Sequence, residues 1–312
     1  MCSATEGASF AVMRVEYREE ACRSALNRVQ GMGFDWSLNP YMGCAHRCTF
    51  CYVRGFEKRA DRPSDDRYGT SIRVKVNVAD ALRAELMRPT WKREYVLVGA
   101  ATDPYQPVEG RYRLTRGCIR AFAEFKTPFG IITRGPLVVR DLDVLQEASR
   151  RARVDVSLSV PTLDDRIWRA TEPGTSHPRA RLKAIQTLSE GGIRVKLAMA
   201  PILPGLSDDP AKMMEVVRAA RDAGATEIWH TVLNLRPGTK EHFFEHLAKE
   251  WPEELERYQK LYAGRGYLPE KETSPISRKI GELKREVGIR DRRTIKYQPP
   301  PEPEQLDILG LG

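Results

Sequence analysis

The chain has 312 residues, 41% of them hydrophobic and 30% charged, which is enough apolar material for a core and excludes wholesale disorder. Fifty-one Lys and Arg against 42 Asp and Glu leave a net charge of +9, which invites a polyanionic partner. No run approaches the ~18 uncharged apolar residues of a membrane helix, and no basic segment followed by an apolar run opens the chain, so no membrane association and a cytoplasmic address are expected.

Residues 1–35 hold one short helical pattern, Ala21 to Val29, and read as an N-terminal arm. From Trp36 the chain alternates short β-rich runs with helical patterns. The strands are expected at Trp36–Tyr41, Tyr95–Gly99, Phe129–Thr133, Val154–Val160, Val195–Ala200 and Glu227–Leu233. Apolar spacings of three and four predict helices at Val78–Met87, Thr115–Phe125, Leu137–Arg151, Pro178–Glu190 and Pro210–Ala223. Ser176 is placed to cap the helix at Pro178 and Gly191-Gly192 to close it; Asp208-Asp209 before Pro210 reads as a helix start and Gly224 as a stop. Strand alternating with helix implies parallel strands and right-handed crossovers. The expected fold is therefore α/β, a partial (β/α)6 TIM-like barrel over residues 36–237, with its chemistry at the C-terminal ends of the strands. A helical extension follows over 238–269, with a break at Pro252, and then a basic, Pro-rich tail over 270–312. Within 270–296, nine Lys/Arg against five Asp/Glu carry +4 of the net +9. Pro299, Pro300, Pro301 and Pro303 form a stiff extended spacer.

Six cysteines are too few for a disulfide scaffold; in a reducing compartment, clustered ones point to metal or redox chemistry. Three of them, Cys44, Cys48 and Cys51, form C-x3-C-x2-C directly after the first expected strand. Three thiolates on one loop can hold three corners of an iron–sulfur cube and leave one iron open to a ligand. A zinc site completed by Cys22, Cys118 or His46 is the alternative, although only one C-x2-C pair exists.

This spacing, with Phe50 before the last cysteine, resembles the signature of the radical S-adenosylmethionine (SAM) superfamily. The resemblance implies that Cys44, Cys48 and Cys51 ligate a [4Fe-4S] cluster. SAM then chelates the fourth iron, and one electron cleaves it to methionine and a 5′-deoxyadenosyl radical. A reductant such as a flavodoxin or ferredoxin is implied with it. In the superfamily the second strand end holds the methionine amino group. Thr102 and Asp103 match that place, although the usual Gly-Gly-Glu is absent. Ser157 and Ser159, two apart on one strand face, suit ribose or carboxylate contacts. Pro201 to Ser207 follow the strand near which relatives contact adenine.

Three stretches draw the resemblance toward the spore photoproduct lyase family. They are Tyr52 after the third cysteine, the Thr102-Asp103 strand end, and Glu172-Pro173-Gly174-Thr175-Ser176-His177-Pro178 with Arg181. That lyase reverses a thymine lesion in DNA by hydrogen abstraction and quenches the product radical with a cysteine. Here Ala100 and Ala101 stand at the matching place, so the radical generator is kept and the substrate chemistry changed. Tyr52, Tyr105 and Cys118 are candidate replacement donors, and Tyr105, Gln106 and Glu109 are expected to face the substrate or shape its mouth. Arg181 is expected either to pair with Glu172 or to contact the cofactor carboxylate.

Clusters such as Arg111, Arg113, Arg116 and Arg120, or the 278–296 stretch, suit phosphate contacts, but no recognised nucleic-acid module is visible. A nucleic-acid substrate, a peptide or a small metabolite all remain open. The terminal Gln305-Leu306-Asp307-Ile308-Leu309 resembles the bacterial sliding-clamp peptide, departing from it at its last two places.

Overall fold

The computed structural model describes residues 15–290. In chain order these form β1 (Glu16–Glu20), β2 (Leu26–Arg28), β3 (Trp36–Leu38), β4 (Tyr41–Met42), α1 (Val53–Arg59), β5 (Ser71–Lys75) and α2 (Val78–Leu86). Next come β6 (Val96–Val98), α3 (Glu109–Tyr112), α4 (Leu114–Glu124), β7 (Phe129–Thr133), α5 (Leu142–Arg151), β8 (Val154–Ser159), α6 (Asp165–Thr171) and α7 (Pro178–Glu190). The last are β9 (Arg194–Ile202), α8 (Pro210–Asp222), β10 (Glu227–Val232), α9 (Lys240–Glu250), α10 (Pro252–Leu261) and α11 (Glu270–Val287).

Seven strands form one sheet in the order β10-β9-β8-β7-β6-β3-β2. The six from β3 to β10 run parallel, and β2 adds antiparallel to β3 at one edge. The sheet curves without closing, which is the expected partial barrel. Helices cover its outer side, so β8 is buried along its whole length, with Val154, Val156 and Leu158 alternating with Asp155, Ser157 and Ser159. The crossover helices start where the sequence marks them. Asp209 accepts the Ala211 and Lys212 amides ahead of α8, with Pro210 in the first turn. At α7 the cap is His177, whose Nδ1 accepts the Arg179 amide, and not the expected Ser176.

Three expectations need correction. Ala21 to Val29 is not helical: Asn77 ties down the Cys22 amide and carbonyl, Glu85 accepts the Ala25 and Leu26 amides, and the chain then pairs with β3. The run Trp36–Tyr41 is not one strand. It ends at Leu38, and Tyr41–Met42 joins a second sheet, β1-β5-β4, in which β5 alternates, with Ile72 and Val74 buried between Ser71, Arg73 and Lys75, a period-2 pattern that the expected strands leave out. Residues 270–287 form an 18-residue helix, not a tail. Ile276, Ile280, Leu283 and Val287 give it an apolar stripe, with Ile280 and Leu283 buried. It lies against α8 and the open edge of β10, where Lys284 Nζ donates to Ile228 O at 2.7 Å and His230 meets Ser277 at 2.9 Å. The unpaired barrel edge is thereby covered. The break at Pro252 stands as expected, with Pro252 opening α10. The Pro-rich spacer and Gln305–Leu309 lie outside the described residues.

Candidate active site

The cysteine loop leaves β4 and crosses the C-terminal ends of the strands. Cys44 and Cys48 are buried, Cys51 is half-buried, and none of the three is in a disulfide. Most of what holds this loop is side chain to backbone. Gln106, wholly buried, grips it from below: its Oε1 accepts the Ala45 amide at 3.0 Å, and its Nε2 donates to Gly43 O at 3.2 Å and Thr102 Oγ1 at 3.1 Å. Thr102 Oγ1 donates to the same Gly43 carbonyl at 2.6 Å. Arg54, also buried, donates to the carbonyls of Cys48, Arg47, Ser64 and Asp65, and its guanidinium lies 4.6 Å from the Tyr68 ring centroid. The Tyr68 hydroxyl is 3.6 Å from Cys51 Sγ. On a third side sits the Glu172–Ser176 segment. The Gly174 amide donates to His46 O at 3.0 Å, and a Cβ at Gly174 would collide with Ala45 O. Thr49 N donates to Thr171 O at 2.9 Å.

Asp103 sets the strand end itself. Its carboxylate accepts from Thr133 Oγ1 at 2.6 Å, the Arg134 amide at 2.6 Å and the Tyr105 amide at 2.9 Å, and His46 Nδ1 approaches to 3.1 Å. Burial alone would raise its pKa, but the His46 charge and these hydrogen bonds outweigh it and hold the carboxyl down to about 2. Asp103 therefore stays ionised and fully engaged with the protein.

The other expected site residues separate into two groups. Phe50 and Ser157 stay at the site: Phe50 packs beside the loop under the Arg134 guanidinium (5.5 Å to its centroid), and Ser157 Oγ accepts only from Trp229 Nε1 at 3.3 Å. Ser159 lies two residues on, on the same side of β8, and Tyr52 stands exposed just past Cys51. Tyr105, Glu109 and Arg181 do not face an open mouth. The Tyr105 hydroxyl donates to Asp141 at 3.0 Å; Glu109 is wholly buried and accepts from the Tyr41 hydroxyl, the Thr115 amide and Arg140. Arg181 is spent on Glu172, Ser159 O, Ser176 O and Thr175 Oγ1, so of its two expected roles the structure shows the ion pair. The physical reason is common to the three: each side chain is buried, and a buried polar group must find a partner within the protein. Cys118 lies buried within α4.

Arg134 reads from the sequence only as one of two polar residues, with Thr133, that end the third expected strand. It donates through Nε to Glu172 Oε1 at 2.9 Å and through Nη2 to Ala200 O at 2.8 Å, and Nη1 has no protein partner among the described residues. Burial works against its charge, but Cys48 and Glu172 more than compensate and keep it protonated. A lone Arg at a parallel strand end carries no sequence signal; only the fold puts it beside Cys48.

Burial pushes the Cys48 thiol up to about 12, with Arg134 pulling the other way, and raises Cys44 as well. Buried thiols of this kind become thiolates when they bind metal. Among the described residues, no three His, Cys, Asp or Glu side chains converge on a single ion. Three thiols on one loop suit a multi-iron cluster, in which each thiolate binds a different iron.

Comparison with known proteins agrees. The Radical SAM superfamily model matches residues 38–217, and the chain belongs to this superfamily. It is an enzyme of the radical SAM class. It is 37% identical over 272 residues to the uncharacterized protein Rv2578c of Mycobacterium tuberculosis, covering 86% of this chain and 80% of that one. It is also 29% identical over 185 residues to the Radical SAM Nalpha-GlyT isomerase of Pseudomonas phage M6, covering 58% of this chain and 36% of that one. Among solved structures it resembles a spore photoproduct lyase double mutant with bound AdoMet and dinucleoside spore photoproduct. The TM-score is 0.66 at 14% identity, over 87% of this chain and 79% of that one, a likeness of fold. Among the described residues, no helix is long and apolar enough to cross a membrane.

Proposed function

We propose that this enzyme carries a [4Fe-4S] cluster on Cys44, Cys48 and Cys51, binds SAM at the strand ends and abstracts a hydrogen atom from a nucleic-acid substrate. The observation that carries it is the loop itself: three thiols outside any disulfide, two buried and one half-buried, held in place from three sides by Gln106, Arg54 and Gly174. When bound, the cluster supplies the electron that cleaves the SAM sulfonium to methionine and a 5′-deoxyadenosyl radical.

The chain's own residues do the positioning. Arg134 offers its free Nη1 to the SAM carboxylate, a charge-assisted contact made in a half-buried site. Glu172 and the Ala200 carbonyl fix that guanidinium, and Phe50 stacks under it. Ser157 and Ser159 offer hydroxyls to the ribose. Thr102 and Asp103, already engaged, shape the pocket through backbone placement. Tyr52 is the one candidate donor that reaches the open face. A nucleic-acid substrate is supported by one comparison: the spore photoproduct lyase of similar fold holds a dinucleoside spore photoproduct.

Anaerobic reconstitution tests the core reading. About four iron and four sulfide per chain are expected, with 5′-deoxyadenosine formed under dithionite. Turnover that survives Cys44→Ala would overturn it. Deuterium transfer from labelled oligonucleotides, peptides or metabolites into 5′-deoxyadenosine then identifies the substrate class.

A further inference from the structure

Large hydrophobic side chains are exposed at six described positions, and three of these are aromatic: Tyr52, Phe56 and Tyr267. All three lie in segments packed around the cysteine loop. Tyr52 and Phe56, 45% and 37% exposed, form a T-shaped pair with centroids 5.8 Å apart on the first turn after Cys51. Arg59 lies over the Phe56 ring at 4.8 Å. The same helix packs on the loop after β10: Thr239 Oγ1 donates to Cys51 O at 3.0 Å, and Gly238 sits so close to Gly55 and Lys58 that a Cβ there would be 3.1 Å from Gly55 Cα. Two residues before Gly238, Arg236 stacks on Tyr267 at 4.9 Å, and the backbone joins the two loops through Leu235 N to Gly266 O at 2.8 Å. Tyr267 is 51% exposed.

The result is a strip of exposed aromatic rings, with two guanidinium groups between Phe56 and Tyr267, beside the cysteine loop. Arg59 and Arg236 are exposed and have no carboxylate partner among the described residues, whereas neighbouring Lys58 is held by Glu241 and Arg62 by Glu57. Exposed rings cost solvation, and their retention beside unneutralised arginines matches one chemistry better than others. Bases stack on rings while phosphates meet the arginines between them. An acidic protein surface would use the arginines and leave the rings without partners.

We infer that the strip Tyr52–Phe56–Arg59 with Arg236–Tyr267 is a docking track for single-stranded polynucleotide, which feeds a nucleotide to the cluster face. This rests on the nucleic-acid reading above and extends it to the strand that flanks the reacting nucleotide.

The test is fluorescence anisotropy of a labelled 20-mer oligodeoxythymidylate against the reconstituted enzyme, as a function of salt. Saturable binding that weakens steeply with salt is expected. Arg59→Glu with Arg236→Glu should lower the salt slope by about 2, and Phe56→Ala with Tyr267→Ala should weaken binding at least tenfold at fixed salt. Circular dichroism and dithionite-driven 5′-deoxyadenosine formation without substrate should be unchanged in both pairs. Retained SAM cleavage with unaltered oligonucleotide binding would overturn the track while leaving the radical reading intact. Equal competition by polyglutamate would overturn it too. Loss of SAM cleavage in the wild type would instead count against the radical reading.

Discussion

Gln106 and Arg134 illustrate how single side chains set up this chemistry. Gln106 satisfies one amide and one carbonyl of the cysteine loop at once, because its amide carries both an acceptor and a donor at any pH. Gln106→Glu keeps the shape but donates to Gly43 O only when protonated. Iron retention in that variant is expected to fall as pH rises through the glutamate titration, whereas the wild type should show no such step; iron content after gel filtration across pH reads this. Glu172 neutralises two buried guanidiniums, Arg134 and Arg181. Glu172→Gln leaves both without a counter-charge, and a loss of about 3–5 kcal/mol in chemical denaturation is expected. Arg134→Met should keep the cluster's absorbance and raise the dissociation constant for SAM at least tenfold in equilibrium binding, since a charge-assisted pair is replaced by a thioether of similar reach.

At the scale of elements, the Glu172–Ser176 segment and α11 do work that their sequences only half disclose. The segment is a buttress: Gly174 allows its backbone to meet Ala45 and His46, with His46 Cα at 2.9 Å from where a Cβ would stand. Gly174→Ala is expected to cost about 1–3 kcal/mol by overpacking and to lower iron per chain, measured by iron assay beside a thermal melt. Helix α11 covers the β10 edge, and Lys284 closes one of that strand's carbonyls. Its charge is therefore partly architectural. Five of the nine basic residues of 270–296 fall within the helix, and one of those five is tied to the sheet.

For the whole molecule, charge placement sets the response to pH. His242, buried on α9 near Arg54, has its pKa lowered to about 4, first by burial and then by the Arg54 charge. A histidine whose folded pKa lies below its unfolded value near 6.5 binds fewer protons when folded. Its neutral form contributes stability above about pH 6.5, and this declines as pH falls toward 4, by about 3 kcal/mol in all. His242→Asn should flatten that window in denaturation curves between pH 4 and 6.5. Asp103 has the opposite chemistry but the same sign. With its carboxyl held down to about 2, its contribution is present above the unfolded value near 4 and is lost only as pH falls through about 2.

Local pattern was enough for the strands β6 to β10, short β-rich runs bounded by Gly, Pro or charge, and for helix starts such as Asp209-Pro210, whose caps are made within four residues. The cysteine spacing was equally legible, because three ligands on one loop need no distant partner. The short strands β1 and β2, and the placement of α11 on the sheet edge, depended on long-range pairing and were not, whereas β5 carries a legible alternation that the expected strands leave out. The same divide runs through the site. Tyr105 and Glu109 read as functional because polar residues just past a strand end usually face solvent, yet they and Arg181 are locked to partners between 5 and 68 residues away. Arg134 is an ordinary arginine in sequence and acquires its role only from Cys48, Phe50, Glu172 and Ala200 converging around it. The sequence by itself determined the class of chemistry, because thiol spacing is local; tertiary structure decided which polar groups stay free to act, because burial forces every other one to find a partner.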